Sequence, residues 1–194
     1  MGRSQAFDTT TVVQAARDLF WDKGYDAVSL SDLERVTGLN RSSLYNAFDS
    51  KRGLFDAAVQ DYLDTVIRPR LQILDAEPDG QLALITYFTG LGAAVEAFSG
   101  EPAQRGCLLV NSAAGLAGHD DALRAVVESY RLELSAALAR ALARPPASLE
   151  SHAVDIHSRL LTSLSISALL LARINATEAR AILDSAVEQI EALG

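Results

Sequence analysis

Apolar residues recur at spacings of three and four along almost the whole chain, which is the spacing of one face of an α-helix. Strand-like alternation is absent, and only 5 prolines and 12 glycines are available to interrupt helices. The pattern therefore predicts an all-α protein with about nine helices.

Residues 29–48 are predicted to form two short helices joined by a tight turn. Gly38 stands where the first helix must stop, and Asn40 is placed to accept an N–H bond as the N-cap of the second. This arrangement is typical of a helix-turn-helix. Each helix has one apolar face, carried by Leu30, Leu33 and Val36 in the first and by Leu44 and Phe48 in the second.

The second helix of this pair keeps its other face almost free of bulky apolar side chains. The groups found there suit the phosphates and base edges of double-stranded DNA. Two residues at helix starts outside that helix are expected to contact phosphate. The predicted DNA-binding residues are Ser29, Arg41, Ser42, Ser43, Tyr45, Asn46 and Lys51.

The segment from Thr37 to Tyr45, with the residues that follow it, resembles the N-terminal signature of the TetR family of transcriptional repressors. Glu34 departs from the pattern, because a small alanine is typical there, and Ser42-Ser43 replaces a common glycine-threonine pair. The similarity spans roughly residues 8–55. The residues after Tyr45 that match the signature are Phe48, Ser50-Lys51 and Leu54-Phe55. An earlier predicted helix also matches it; this helix contains Val13, Ala16, Leu19 and Phe20 and ends at Gly24-Tyr25.

The resemblance implies a DNA-binding domain over residues 1–50 and an effector-binding and dimerisation domain over residues 51–194. In the second domain the apolar pattern predicts one long helix over residues 51–76, which Pro69 should kink or divide. Five more helices are predicted over residues 81–98, 107–117, 120–143, 148–174 and 176–193, with a loop at 99–106.

The helix over 148–174 is apolar nearly all round, so it must be covered all round. The last two helices are either internal core helices or a two-fold four-helix interface between two chains. The helix-turn-helix favours the interface between two chains, because a palindromic operator is bound by two DNA-binding domains. The predicted homodimer residues are Leu160, Leu164, Ala168, Leu171, Ile182, Ala186 and Ile190.

The formal net charge of −8 is unusual for a DNA-binding protein. Residues 1–53 carry 7 Lys/Arg and 7 Asp/Glu, whereas residues 54–194 carry 10 and 18. The acidic excess therefore lies outside the helix-turn-helix, whose neutral balance predicts weak non-specific DNA affinity.

The single cysteine, the first residues and the apolar runs together favour a cytoplasmic protein. One cysteine excludes an internal disulfide, and the polar residues 1–11 do not resemble a signal peptide. The apolar run at 160–174 is expected to be too short and too polar to span a bilayer.

The resemblance also implies a cavity for a small-molecule effector among the helices of the second domain. Arg-Gly-Cys-Leu-Leu-Val-Asn at 105–111 resembles a subset of TetR-like repressors, some of which respond to electrophiles through such a cysteine. The alternative is that the cysteine and the aromatic residues simply fill the core. The predicted effector-binding residues are Tyr62, Phe88, Cys107, Asn111 and Tyr130.

No local signature of catalysis or of a cofactor is present, so no catalytic residue, metal or cofactor is expected. His152 and His157 are five residues apart and cannot share one ligand face of a helix. The sequence thus predicts a dimeric, effector-released repressor. Two alternatives remain: a ligand or interaction module of the same fold that does not bind DNA, and a cysteine-based enzyme.

Overall fold

The computed structural model describes residues 7–97 and 105–193. These residues are mostly helical and contain no strand, which confirms the predicted all-α class. The α-helices are α1 (Thr9–Lys23), α2 (Leu30–Thr37), α3 (Arg41–Phe48), α4 (Lys51–Tyr62), α5 (Arg68–Ala76), α6 (Gly80–Ala97), α7 (Leu108–Ala114), α8 (Asp121–Leu142), α9 (Ser151–Leu171) and α10 (Ala176–Glu191).

The long helix predicted over residues 51–76 is confirmed, with one irregularity inside it. A π-helical segment, Leu63–Ile67, joins α4 to α5 without a break. Pro69 follows at the second residue of α5, where its missing N–H is tolerated. Since α4, the π segment and α5 form one uninterrupted run, the described residues contain nine α-helical stretches, as the apolar pattern predicted.

The chain folds into two compact units, the first ending at Val66 and the second beginning at Ile67. This division falls later than the expected boundary after residue 50, because α4 packs against α1. The division also falls inside the π-helical segment.

An aromatic cluster forms the core of the first unit. The rings of Phe20 and Phe55 meet edge to face with centroids 5.1 Å apart, and Tyr25 lies 5.0 Å from Phe55. Trp21 contacts Tyr62 in the same manner at 4.8 Å. Edge-to-face pairs of this kind add to the stabilisation that burial alone provides.

The second unit is a bundle in which α6 packs against α5, α8 and α10, and α8 also packs against α9. Gly80 begins α6 where that helix lies close to the end of α8. A Cβ at this position would clash with the carbonyl oxygen of Ala141, so only glycine fits. Its backbone N–H donates to the carbonyl of Pro145 at 2.8 Å.

Several helix boundaries differ from the predicted ones, most of all those of α7 and α9. Cys107 is the N-cap of α7 instead of its first residue, and α7 ends at Ala114, before a 3₁₀ turn at Leu116–Gly118. The helix predicted from residue 148 begins at Ser151, because Ser148 adopts a positive φ of 44° that ends the preceding turn. Phe98 and residues 99–104 of the predicted loop lie outside the described residues.

The apolar run at residues 160–174, expected to be too short and too polar for a membrane span, lies within and just after α9. This helix has 21 residues and is long and apolar enough to span a bilayer by length and composition. A core helix of a bundle meets the same criterion, and α9 packs against α8 and α10. Its inward side carries the buried polar residues Ser158, Thr162 and Ser165.

Candidate nucleic-acid interface

Ser29 and Asp32 form a capping box at the start of α2. The Ser29 hydroxyl accepts from the Asp32 backbone N–H at 3.1 Å, and the Asp32 carboxylate accepts from both the Ser29 hydroxyl and its backbone N–H. These bonds, the hydroxyl one foremost, hold the pKa of Asp32 far below its usual range. Ser29, which is expected to contact phosphate, donates its hydroxyl hydrogen bond to Asp32 in this structure.

The turn between α2 and α3 has the two features that the sequence predicted. Gly38 adopts a left-handed conformation with φ 69° and caps α2 by donating to the Glu34 carbonyl. Asn40 is the N-cap of α3, and its side-chain oxygen accepts from the Ser43 N–H at 2.9 Å. A third bond was not predicted: the Arg41 backbone N–H donates to the Glu34 carboxylate at 2.6 Å.

The two faces of α3 differ as expected. Leu44 is buried at 5% exposure and Phe48 is half-buried. Arg41, Ser42 and Asn46 are exposed, while Ser43 and Tyr45 are half-buried. The Arg41 guanidinium lies 5.4 Å from the centroid of the Tyr45 ring, one turn along the helix. The helix therefore presents a cation, hydroxyls and an amide on its outer side.

Lys51 opens α4 directly after its N-cap, Ser50, whose hydroxyl accepts from the Gly53 N–H. The Lys51 ammonium lies 4.4 Å from the centroid of the Tyr25 ring, which is a cation–π contact. Burial lowers the pKa of Lys51 from its ordinary value. The Tyr25 ring therefore holds this half-buried cation at the start of α4.

Comparison with known proteins identifies this helix-turn-helix. Residues 12–58 match the family of bacterial regulatory proteins described as the tetR family. The chain is 30% identical over 180 residues to the uncharacterized HTH-type transcriptional regulator YezE of Bacillus subtilis (strain 168), covering 91% of each chain. It is also 30% identical over 168 residues to the HTH-type transcriptional repressor BdcR of Escherichia coli (strain K12), covering 86% of this chain and 82% of BdcR.

The chain belongs to the TetR family. Among solved structures, it resembles a cysteine mutant of the TetR family transcriptional regulator CifR bound to 26-bp double-strand operator DNA. That structure has a TM-score of 0.80 and 27% identity, and the match covers 96% of this chain and 98% of CifR. The chain is thus a DNA-binding transcriptional regulator, and α2 and α3 are its helix-turn-helix.

The predicted effector residues of this TetR-family chain do not all lie in one compact unit. Phe88, Cys107 and Tyr130 are buried in the second unit. Asn111 is half-buried there, and its side-chain amide donates to the Arg105 carbonyl at 2.8 Å. Tyr62 belongs to the first unit, where it packs against Trp21 as described above.

Tyr87, which the sequence pattern did not single out, is a buried group of the second unit whose pKa is shifted. Burial raises the pKa of Tyr87 to about 12, and its hydroxyl is hydrogen-bonded to Ser165. Ser165 in turn donates to the Leu161 carbonyl at 3.0 Å. The only hint in the sequence is the polar series Ser158, Thr162 and Ser165 at helical spacing.

The residues predicted for a dimer interface lie on two sides of the last helices. Ala168, Ala186 and Ile190 are at most 1% exposed, because they pack inside this chain. Leu164, Leu171 and Ile182 are half-buried, and Leu160 is 41% exposed. Leu160 belongs to an outward apolar stripe of α9 with Ile156 and Leu170, and the exposed Ile174 follows the end of that helix.

Among residues 7–97 and 105–193, no cluster of three His, Cys, Asp or Glu side chains has the geometry of a metal site.

Proposed function

We propose that this TetR-family chain is a cytoplasmic, homodimeric repressor that binds a palindromic operator through α3 and leaves it when a small organic molecule binds to the second unit. The observation that carries the DNA-binding part is the outer side of α3. Arg41, Ser42 and Asn46 are exposed there, opposite the buried Leu44. These groups suit base edges, and Lys51 suits a phosphate.

The outward apolar stripe of α9 supports the homodimer. Large exposed apolar residues that share one helix face mark an interaction surface. A two-fold contact along α9, with half-buried Leu164 and Leu171 beside the stripe, would cover it with the same surface of a second chain. The dimer provides two recognition helices for the two half-sites of a palindrome.

The interior of the second unit supports the effector. Its core is apolar and aromatic and includes polar groups at Tyr87, Ser165 and Asn111, which is the mixture of residues found in sites for small organic molecules. A ligand with higher affinity for the state whose recognition helices are misplaced reduces operator affinity by the same differential free energy. The helical run from α4 to α5 passes from the first unit into the second. We propose that this run transmits the effect of ligand binding to the recognition helix.

DNA binding is tested by selecting a duplex from a random library with the wild-type protein and measuring fluorescence anisotropy on it. We expect a palindromic sequence and a loss of about 10- to 100-fold for Arg41→Ala, as for an arginine that reads guanine. Arg124→Ala, an exposed cation of α8, removes the same charge from the second unit and serves as the control. If no sequence is selected, the chain is an interaction module instead. If Arg41→Ala binds the selected duplex as wild type does, the assignment of Arg41 to base reading is refuted.

The effector chemistry is tested at Cys107, which is 1% exposed. We expect its thiol to react with an aromatic disulfide reagent much more slowly in the folded protein than in urea, and Cys107→Ser to retain release by a reversible ligand. Fast labelling that releases DNA, absent in Cys107→Ser, would instead identify an electrophile sensor. If the wild-type protein turns over a substrate and Cys107→Ala does not, the regulatory assignment of this residue is contradicted.

A further inference from the structure

Glu34 lies in the last turn of α2, and its carboxylate is bonded across the turn to the first residue of the next helix. The Arg41 backbone N–H donates to Glu34 Oε1 at 2.6 Å, between residues 7 positions apart. The Glu34 carbonyl also accepts from the Gly38 N–H that caps α2. One residue therefore holds both the end of α2 and the start of α3.

The first turn of a helix has N–H groups with no partner inside the helix. In α3, Asn40 takes the N–H of Ser43 and Glu34 takes that of Arg41. A carboxylate at this helix end is also favoured by the helix dipole, which places partial positive charge there. The same properties make a free helix N-terminus attractive to a phosphate group.

We propose that Glu34 is a positioning residue of the DNA-reading helix: its carboxylate fixes the start of α3 relative to α2 and occupies the amide that a DNA phosphate would otherwise take. This inference rests on the proposed role of α3 at the operator. It assigns two separable effects to one side chain. The hydrogen bond sets the direction in which α3 presents Arg41 and Tyr45, and the negative charge discourages contacts with phosphates of any sequence.

The two effects have opposite consequences for affinity. Loss of the hydrogen bond frees α3 to tilt about the turn, so operator affinity falls. Loss of the charge removes a repulsion from the DNA-facing end of α3, so affinity for unrelated DNA rises. Selectivity, the ratio of the two affinities, therefore depends on Glu34 even though its side chain reads no base.

Glu34→Gln and Glu34→Ala separate the hydrogen bond from the charge. Glutamine keeps an acceptor oxygen for the Arg41 N–H and removes the charge, whereas alanine removes both. Glu188→Gln, an exposed carboxylate of α10, matches the charge change far along the chain and is the control. Each variant is titrated by anisotropy on the selected duplex and on a scrambled duplex of equal composition, at several salt concentrations.

We expect Glu34→Gln to bind the selected duplex at least as tightly as wild type and the scrambled duplex about two- to fivefold more tightly, the scale of one charge at a helix end. Glu34→Ala should bind the scrambled duplex similarly but lose about tenfold on the selected one, the scale of one charge-assisted hydrogen bond. Glu188→Gln should match wild type on both.

The proposal is overturned if Glu34→Ala keeps the wild-type ratio of affinities, or if glutamine fails to restore operator binding. Far-UV circular dichroism and thermal unfolding of each variant show that binding is measured on folded protein. A wild-type protein that selects no duplex would refute the proposed function itself. Selection by wild type together with unchanged Glu34 variants would refute only this inference.

Discussion

The Nη1 atom of Arg17 lies 2.6 Å from Oδ2 of Asp61, between α1 and α4. Both side chains are largely shielded from solvent, at 15% and 14% exposure. The same guanidinium donates to the Thr65 hydroxyl at 3.1 Å, and Thr65 donates to the Asp61 carbonyl. Arg17 thereby ties α1 to the π-helical segment, because Thr65 lies within that segment.

Arg17→Ala should destabilise the protein by about 2–3 kcal/mol, between the values for exposed and for fully buried ion pairs, because it leaves the Asp61 charge shielded and unpaired. Urea unfolding followed by circular dichroism measures this. Arg35→Ala removes a cation that is 65% exposed and should cost at most about 1 kcal/mol. Equal losses in the two variants would show that the Arg17 pair contributes nothing beyond a surface contact.

Lys51→Met should weaken binding to every DNA sequence to a similar degree and reduce the salt slope by about one, as expected for one phosphate contact. Methionine keeps an unbranched apolar side chain against the Tyr25 ring, so the core of the first unit is preserved. Anisotropy titrations of the selected and scrambled duplexes at several salt concentrations measure the effect. A loss confined to one base position of the operator would argue against a phosphate contact.

Leu160→Arg should convert the dimer into a monomer, because it places an unpaired charge in the outward apolar stripe of α9. Sedimentation velocity at micromolar concentration measures this. Leu132→Arg is the matched control: Leu132 is 53% exposed on α8, between the charged Arg131 and Glu133. We expect that variant to stay dimeric. A folded wild-type monomer at micromolar concentration would refute the dimer.

Tyr87 should make the protein lose stability at alkaline pH. Its folded-state pKa is raised to about 12, so between about pH 10, where an unfolded tyrosine ionises, and that value only the unfolded chain releases the proton. The free energy of unfolding should then fall by up to about 1.4 kcal/mol per pH unit from this group. Tyr87→Phe should lose less stability over this range than wild type or Tyr45→Phe in urea unfolding. If the free energy of unfolding falls with pH equally in all three proteins, Tyr87 ionises normally.

Local chemistry made the helix-turn-helix predictable from the sequence. Gly38 and Asn40 act on backbone groups within a few residues of themselves, so their identity and spacing suffice to place the turn. The same holds for the exposed and buried sides of α3, because its helical period separates Leu44 from Ser42 and Asn46. The family resemblance follows from these local positions.

The contacts that organise each unit were not predictable in this way. The Arg17–Asp61 pair joins residues 44 positions apart, and Glu34 reaches Arg41 only because the turn sets the angle between α2 and α3. Tyr87 is hydrogen-bonded to a serine of a distant helix. No local period or propensity encodes such pairs.

By itself, the sequence determined the helical class, the approximate extent of most helices and the helix-turn-helix, because each depends on interactions within a few residues. Only the tertiary structure decided which side of α9 faces inward. Ala168 and Leu160 are equally apolar positions in a helix that is apolar nearly all round, yet the first is buried and the second is 41% exposed. Periodicity identifies a face only when the opposite face is polar, so packing against α8 and α10 makes the choice.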